Sequence, residues 1–294
     1  MLNIIPIVEE INKCSREAIE MYDETPPCLC VIQVGEDPAS STYVRNKTKV
    51  CENVGITVKT VKLAFETSQK TLNTFIQHMN SNDEIDAILL QLPLPSHLNE
   101  REAVNMISPY KDVDCLTDVN QSRLIGLDEK DDFNSDRVAP CTPSGILAVM
   151  ASTGILEDNP HVVIINRSKL VGLPLASILL AKGIDATVTV CHSKTKNLAE
   201  ICKSADIIVV AVGKPNFLTA DMVKPDAVVF DVGINNVNGY ICGDVNVASV
   251  SAKTPFITPV PGGVGRLTTA ALANNTVALW ALKHDRRKKS SQEM

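Results

Sequence analysis

Residues 28–91 decide the fold, and they open with a buried strand, CLCVIQVG, at Cys28–Gly35. The segments predicted after it are a helix from about Ser40 to Val54, a strand over Ile56–Leu63, a helix over Ser68–Met79, a strand over Asp86–Gln91 and a helix over Asn99–Ile107. Alternation of β-branched runs with helical patterns is typical of a parallel sheet covered by helices on both faces. We therefore expect an N-terminal α/β domain.

The same alternation starts again in the second half of the chain. The segments predicted there are strands over Val162–Ile165, Thr187–Cys191, Asp206–Val212 and Ala227–Val232, and helices over Leu173–Ala181, Leu198–Ser204 and Leu267–His284. Residues 108–143 between the halves are polar and loop-rich, with a charge cluster at Asp128–Asp136, and we interpret them as the crossing between two domains. Two α/β domains leave a cleft between them, where ligands of such proteins usually bind.

Composition excludes several classes of protein. A chain of 294 residues with 45% hydrophobic and 21% charged residues is not of the disordered type, and a net charge of −6 argues against nucleic-acid binding. No apolar run approaches the roughly 18 residues of a membrane span. Nine scattered cysteines without a C-x-x-C pair, and five histidines without ligand spacing, argue against a metal site and indicate a reducing cytoplasm. The basic run Asp285–Lys289 is interpreted as a solvated tail rather than a phosphate-binding arm.

The first strand of the second half leads into VVIINRSKLVGLP at Val162–Pro174, without the usual G-x-G-x-x-G of dinucleotide-binding domains. Binding of a pyrophosphate needs a tight turn whose backbone N–H groups and following helix N-terminus face the ligand. Gly172 allows close backbone approach, and Asn166 tolerates the left-handed region better than other non-glycine residues. An ordinary βα turn remains the alternative.

Coenzyme choice is indicated by charge. Arg167 lies in the first turn, and the second strand ends near Ser193 without the acidic residue that usually binds a ribose 2′-hydroxyl. A guanidinium with hydroxyl and amine groups suits a 2′-phosphate. The sequence therefore favours NADP over NAD.

Other candidate ligand-binding residues lie in the first half and before the last helix. Tyr43 and Lys47 share one helix face, so a lysine facing the cleft could shuttle protons; the alternative is a surface lysine beside a packed tyrosine. Gln91 ends a strand where open α/β sheets place ligand contacts. A carboxylate in Lys111–Asp114 could bind an amidine-like edge or cap a helix. Three glycines in Pro259–Gly265 indicate backbone pressed against a ligand, or a hinge.

Ten motifs, in order and with their spacing, carry a resemblance to a known family. They are Val34–Ser40, Tyr43–Lys47, Gln91–Pro95, Lys111–Asp114, Pro140–Pro143, Arg167–Ser168 with Val171–Gly172, Cys191–Lys194, Asp231–Asn235, Gly243–Val245 and Pro259–Gly265. The chain resembles the bifunctional methylenetetrahydrofolate dehydrogenase/methenyltetrahydrofolate cyclohydrolase (FolD-like) family across nearly its whole length. The resemblance implies oxidation of 5,10-methylenetetrahydrofolate with a nicotinamide cofactor, hydrolysis of the methenyl product to 10-formyltetrahydrofolate in the same cleft, and a homodimer.

The resemblance also implies a fold and a set of site residues. It implies two domains around a cleft: an α/β folate domain over residues 1–139 completed by a C-terminal helix at 267–294, and a Rossmann-like NAD(P)-binding domain over 140–266. Lys47 would shuttle protons, Gln91 would hold it, Tyr43 would pack against the folate and Asp114 would bind the pterin edge. Further substrate contacts would come from Leu90, Leu92, Pro261 and Gly262. Cofactor contacts would come from Asn166, Arg167, Ser168, Ser193, Ile234, Gly265 and Thr268.

Three positions depart from the family pattern. The family usually has glycine at the positions of Cys115 and Asn166, and proline at that of Arg266. If the first of these needs a positive φ, Cys115 adds strain and Asp114 is reoriented. Two other hypotheses therefore remain beside the bifunctional enzyme: a dehydrogenase without hydrolase activity, and a non-catalytic folate- or nucleotide-binding protein.

Overall fold

The predicted alternation of strands and helices is present in the computed structural model, which describes residues 1–22, 24–36, 38–125 and 138–292. The elements of the first half are α1 (Ile5–Glu20), β1 (Cys28–Val34), α2 (Pro38–Val54), β2 (Thr57–Leu63), α3 (Gln69–Ser81), β3 (Ala87–Leu90), α4 (Glu100–Asn105) and α5 (Asp118–Arg123). The strands pair in parallel in the order β2-β1-β3. The predicted charge cluster at 128–136 lies outside the described residues.

The elements of the second half form a second parallel sheet. They are α6 (Cys141–Ser152), β4 (His161–Ile165), α7 (Gly172–Leu179), β5 (Thr187–Cys191), α8 (Leu198–Lys203), β6 (Ile207–Val210), a 3-10 turn (Ala220–Met222), β7 (Val228–Asp231), a hairpin of β8 (Asn235–Val237) and β9 (Tyr240–Cys242), α9 (Val247–Val250) and α10 (Val264–Gln292). The strand order is β5-β4-β6-β7. The predicted α/β fold with parallel sheets is therefore confirmed.

Every residue of β1 is buried, because the first sheet is covered on both faces. Alternate side chains such as Leu29 and Val31 pack with residues of α2 and α10. Cys30 and Ile32 point to the other face and pack with residues of α3 and α4. This is the two-sided burial that a continuous apolar strand predicts.

The C-terminal helix completes the first-half unit, as expected. One compact unit consists mainly of Glu10–Arg123 together with the chain from Thr269 onward, and the other mainly of Thr142–Thr268. Trp280 on α10 is buried, donates its indole N–H to Thr25 O at 3.0 Å and contacts the Tyr22 ring at a centroid distance of 4.9 Å. Burial of this aromatic anchor fixes α10 in the first-half unit.

The basic run near the C-terminus is not a tail within the described residues. It lies inside α10, which continues to Gln292. The Arg286 guanidinium lies 4.4 Å from the centre of the Tyr110 ring, and Lys288 lies 5.2 Å from that of Tyr22. Arg286 and Lys288 are exposed, which agrees with the predicted solvation of this run, but its backbone is helical. Among the described residues, no helix combines the length and apolarity needed to cross a membrane.

Candidate active site

Lys47 and Gln91 meet at the carboxyl end of β3. The Lys47 ammonium donates to Gln91 Oε1 at 3.3 Å, and the Gln91 amide donates in turn to Leu92 O at 2.6 Å. The backbone N–H of Gln91 donates to Ile32 O on β1 at 2.9 Å, which holds the residue at the end of the sheet. The order β2-β1-β3 reverses between β1 and β3, and ligands of open α/β sheets bind at such a reversal.

Tyr43 lies one helical turn before Lys47 on α2. Its side chain is 36% exposed, and partial burial raises the pKa of its hydroxyl. Leu90 is buried at the end of β3, and Leu92 beyond it is half-buried. The predicted substrate residues of the first half therefore lie on α2 and at the end of β3.

The two acids of Lys111–Asp114 have different environments. Asp112 is buried and its carboxylate accepts from Leu116 N at 3.1 Å, Thr117 N at 2.9 Å and Asn120 Nδ2 at 2.9 Å. Burial raises its pKa, against the N–H donors that favour the ionised form. Asp112 therefore has the structural role that the sequence left open, since it holds the turn leading into α5.

Asp114 is half-buried and is brought toward the end of β3. Asp112 pairs with Ile88 in a parallel bridge, so the chain runs on toward Asp114 in the same direction as β3. The thiol of the buried Cys141 donates to the carbonyl of Val113, the residue before Asp114, at 3.6 Å. Burial raises the pKa of Cys141, the charge of Asp114 raises it further, and the charge of Lys47 opposes the shift. Lys47 and Asp114 therefore act on the same thiol in opposite directions.

Cys115 has a positive φ, the condition under which the sequence predicted strain at this position. Its φ is +53°, in the left-handed region that favours glycine. The side chain is buried and the thiol donates to Val138 O at 2.9 Å, while the carbonyl accepts from Gln121 Nε2 at 2.6 Å. These bonds hold the strained residue in place.

The turn after β4 is organised by the Asn166 side chain. Asn166 Oδ1 accepts from Ser168 N at 2.7 Å and Gly172 N at 3.0 Å, and its Nδ2 donates to Ala211 O at 2.6 Å. The prediction that Asn166 uses the left-handed region was wrong, because its side chain and not its φ makes the turn. A Cβ on Gly172 would lie 2.1 Å from Asn166 O, so the close approach predicted at Gly172 is to the chain itself.

Arg167 and Ser193 are exposed at the carboxyl ends of β4 and β5. Neither side chain has a hydrogen bond or ion pair within the described part of the chain. Ser168 accepts from Val171 N through its hydroxyl at 3.2 Å. The order β5-β4-β6-β7 reverses between β4 and β6, where Gly213 has a φ of +64° and open space on its Cβ side. Asn166, Arg167 and Ser168 therefore follow β4 at a reversal point, the usual nucleotide position in such sheets.

The glycine segment before α10 contacts its own backbone. A Cβ on Gly263 would lie 2.1 Å from Pro259 O, and Gly262 has a φ of +99°. Gly265 has the side chain of Ile234 3.7 Å from its Cβ position, and Thr268 Oγ1 donates to Val264 O at 3.0 Å. Pro261 is exposed. The Gly263 contact is thus explained within the loop, and the start of a long helix directly after the segment is confirmed.

Models of two protein families match the chain. The catalytic domain of tetrahydrofolate dehydrogenase/cyclohydrolase matches residues 2–114, and the NAD(P)-binding domain of the same enzymes matches residues 140–284. This chain belongs to the tetrahydrofolate dehydrogenase/cyclohydrolase family. The resemblance inferred from the motifs is confirmed.

Relatives with high coverage support the same assignment. The bifunctional protein FolD of Campylobacter hominis is 50% identical over 273 residues, 92% of each chain. The crystal structure of the FolD methylenetetrahydrofolate dehydrogenase/cyclohydrolase from Campylobacter jejuni is 39% identical, with a TM-score of 0.87 over 94% of this chain and 96% of that one. The Trypanosoma brucei FolD complexed with NADP and an inhibitor is 32% identical, with a TM-score of 0.88 and 98% coverage of both chains.

Two buried acids, Asp231 and Asp244, lie in the sequence motifs, but the sequence predicted no role for them. Asp231 accepts from Gly233, Asp244 and Val245 N–H groups at 3.1, 2.9 and 2.9 Å. Asp244 accepts from the backbone of 212–214 at 2.6–2.9 Å and from Asn235 Nδ2 at 2.9 Å. Burial raises the pKa of Asp231 against its donors. The sequence signal for such a structural role was an acid that ends a buried strand, as Asp231 does, or that follows a glycine, as Asp244 does.

Glycines beside these acids make the arrangement specific. A Cβ on Gly243 would lie 1.8 Å from Asp231 Oδ2, and one on Gly233 would lie 2.2 Å from Asp244 Cγ. A side chain at position 243 would therefore overlap the Asp231 carboxylate, and one at position 233 would overlap the Asp244 carboxylate. Among the described residues, no group of three or more His, Cys, Asp or Glu could hold a metal ion.

Proposed function

We propose that this chain oxidises 5,10-methylenetetrahydrofolate to the 5,10-methenyl form with NADP, and then hydrolyses that product to 10-formyltetrahydrofolate, as a step of one-carbon metabolism. The observation that carries the proposal is the Lys47–Gln91 hydrogen bond at the end of β3 in a member of this family. A dehydrogenase without hydrolase activity would not need a lysine held in this way. The same observation therefore favours the bifunctional enzyme.

Lys47 would move the proton in the hydrolysis. Water adds to the cationic methenyl carbon and loses a proton, which the Lys47 amine takes. The bond between this carbon and N5 then breaks as Lys47 returns the proton to N5, and the remaining hydroxyl proton leaves to solvent as the formyl C=O forms. Gln91 Oε1 accepts from Lys47 and would keep the amine at one place during both transfers.

Asp114 and Tyr43 would hold the folate. The pterin edge presents adjacent N–H donors, which suit a carboxylate that can accept two hydrogen bonds. Asp114 has a half-buried carboxylate, whereas Asp112 is fully buried and used by the chain. Tyr43 would present its ring to the substrate from the turn before Lys47, and Leu90 and Leu92 would contact it from β3. We keep Pro261 and Gly262 as proposed substrate contacts.

The residues after β4, β5 and β6 fit NADP. Arg167 offers an exposed guanidinium without a partner in the described chain, and Ser193 offers an exposed hydroxyl. Gly213 leaves open space at the reversal point. Asn166 and Ser168 would hold the turn, with Ile234, Gly265 and Thr268 as further proposed contacts. When bound, NADP supplies the hydride acceptor; the folate nitrogens supply the electron push, so the chain's task is orientation.

Lys47→Met tests the proposal, with Lys49→Met on the same helix as the control because Lys49 is exposed. Loss of a proton-transfer group should slow hydrolysis of methenyltetrahydrofolate by roughly a hundredfold or more. Folate binding should persist, and Lys49→Met should behave as the unaltered protein. Wild-type hydrolysis in Lys47→Met would contradict the proposal. Dehydrogenase assays with NADP and NAD on the same samples separate an enzyme from a binding protein.

Assembly, location and domain limits are part of the same proposal. A homodimer is proposed from the resemblance and is tested by light scattering of the purified chain. A cytoplasmic location is supported by nine free thiols, of which Cys30 and Cys51 are fully buried with pKa values raised by burial to about 11 and about 12. We propose 1–139 with 267–294 as the folate domain, and 140–266 as the nucleotide domain.

A further inference from the structure

Asn275 is a buried amide on α10 whose hydrogen bonds reach the segment that carries Asp114. The residue is 5% exposed. Its Nδ2 group donates to Val113 O at 2.9 Å and to Ala139 O at 2.8 Å, and lies 3.5 Å from Cys141 Sγ. Both N–H groups of the amide are therefore used within a region without solvent access.

One acceptor of Asn275 belongs to the residue directly before Asp114. This Val113 carbonyl also accepts from the Cys141 thiol at 3.6 Å, so Asn275 and Cys141 hold the same peptide group. The residue after Asp114, Cys115, donates from its thiol to Val138 O. The chain from 113 to 115 lies between the bridge at Asp112 and helix α5, so neither a strand nor a helix fixes it. A single backbone turn bond, from Cys115 N to Asp112 O at 3.3 Å, and side-chain bonds hold it instead.

An apolar residue would fill the position of Asn275 without the cost of burying an amide. Ala271 and Leu272, one turn earlier on the helix, are buried apolar residues, so packing on this face does not require a polar group. The amide instead satisfies two buried carbonyls that would otherwise lose a partner. One carbonyl precedes Asp114 and the other precedes the Pro140-Cys141 pair, so one amide sets the separation of the two segments.

We propose that Asn275 is a positioning residue for folate binding, which fixes the Asp114 carboxylate through the Val113 and Ala139 carbonyls. The inference rests on the proposed function, because it needs Asp114 to bind the pterin. Displacement of a binding group by even 1 Å is costly, so loss of these bonds should weaken the folate rather than slow proton transfer. NADP binding should be unaffected.

Asn275→Leu tests this, with Asn274→Leu as the matched control because Asn274 is the exposed amide next to it. We expect the folate KM to rise about five- to thirtyfold in both reactions for Asn275→Leu, with the NADP KM unchanged and kcat within about threefold. Asn274→Leu should match the unaltered chain. Asn275→Ser, which keeps one shorter donor, should be intermediate and serves if Asn275→Leu does not fold.

A double-variant cycle distinguishes positioning from general stability. In the Asp114→Ala background, Asn275→Leu should add less than about twofold to the folate KM, because the group it positions is gone. Multiplying losses, or an unchanged folate KM in folded Asn275→Leu and Asn275→Ser, would overturn the inference. If Asp114→Ala itself leaves the folate KM unchanged, the substrate role of Asp114 fails instead, and with it the part of the proposed function on which the inference rests.

Discussion

Two loop regions of the molecule use paired acids differently. In the first-half unit, Asp112 is buried with three N–H donors, whereas Asp114 two residues later is half-buried. In the second-half unit, both Asp231 and Asp244 are buried, with three and four donors. One region therefore leaves one carboxylate half-exposed, which is the acid that we propose binds the folate, and the other region uses both acids to build loops.

The difference teaches how to separate structural from ligand-binding acids. A buried carboxylate is stable only when N–H donors replace its water, and an acid with three or four such donors has at most one of its roughly four lone-pair sites left for a ligand. An acid at the same loop with few donors can accept from a substrate. In the second-half unit, the groups that we propose recognise the cofactor are a cation, Arg167, and hydroxyl groups.

The largest expected effect is on the buried acids of the second-half unit. Asp244→Ala removes the acceptor of the 212–214 backbone and of Asn235, and leaves these donors unpaired. Removal of one partner from a buried charged network costs about 3–5 kcal/mol in the free energy of unfolding. Urea unfolding measures this loss.

The control is Asp221→Ala, because Asp221 is an exposed acid of the same unit that accepts from the Thr219 hydroxyl at 2.5 Å. We expect its loss to stay below about 1 kcal/mol. Equal losses for Asp244→Ala and Asp221→Ala would mean that the buried carboxylate does not hold the loops, and the comparison between the two regions would break.

The second prediction divides the acids of the first-half unit. Asp114→Ala should lower folate affinity by about 1.5–3 kcal/mol, or roughly ten- to a hundredfold, and Asp114→Asn less, because an amide keeps one acceptor. Unfolding free energy should hardly change in either. Asp112→Ala should do the reverse, with a loss of about 2–3 kcal/mol in stability at 25 °C. Calorimetric titration and urea unfolding of the three variants measure both quantities. An unchanged folate KM in both Asp114 variants would make this acid structural too.

The third prediction concerns Arg167, the cation among the proposed cofactor-binding residues. Arg167→Ala should raise the KM for NADP about tenfold and leave that for NAD within about twofold, since only a 2′-phosphate gains from the guanidinium. Steady-state kinetics with both coenzymes measure this. A smaller rise in the KM for NADP would indicate that Arg266 also binds the 2′-phosphate. The double variant with Arg167→Ala and Arg266→Ala would then show the larger rise. Equal changes for NADP and NAD would show that Arg167 only shapes the turn.

Sequence was a good guide wherever burial is continuous. The predicted strands Cys28–Gly35 and Thr187–Cys191 agree with the structure within one residue, because unbroken β-branched runs between turn residues have few alternatives. Helix α6 was missed because Pro140–Pro143 was interpreted as a loop. The helix begins at Cys141, so Pro143 lies in its first turn, where a missing N–H costs nothing.

The side-chain hydrogen bonds of the site could not be predicted from the sequence. Tyr43, Lys47 and Gln91 could be chosen from helix spacing and a strand end, since both are local patterns. The division of roles between Asp112 and Asp114 depends on which carboxylate faces the N–H groups of a later turn. The bonds of Asn275 join positions more than a hundred residues apart, and no local pattern encodes them.

The smallest effect is expected for Cys115→Gly, which restores the residue that the family usually has. Glycine relieves the left-handed strain of about 1–2 kcal/mol at a φ of +53°. It also loses the thiol bond to Val138 O and the burial of the side chain, and it adds conformational freedom to the unfolded chain, which together cost about as much. We therefore expect a change in unfolding free energy below about 1 kcal/mol. The folate KM should stay within about twofold, because Asn275 and Cys141 still hold the Val113 carbonyl before Asp114. A tenfold lower folate KM in Cys115→Gly would show instead that the cysteine displaces Asp114.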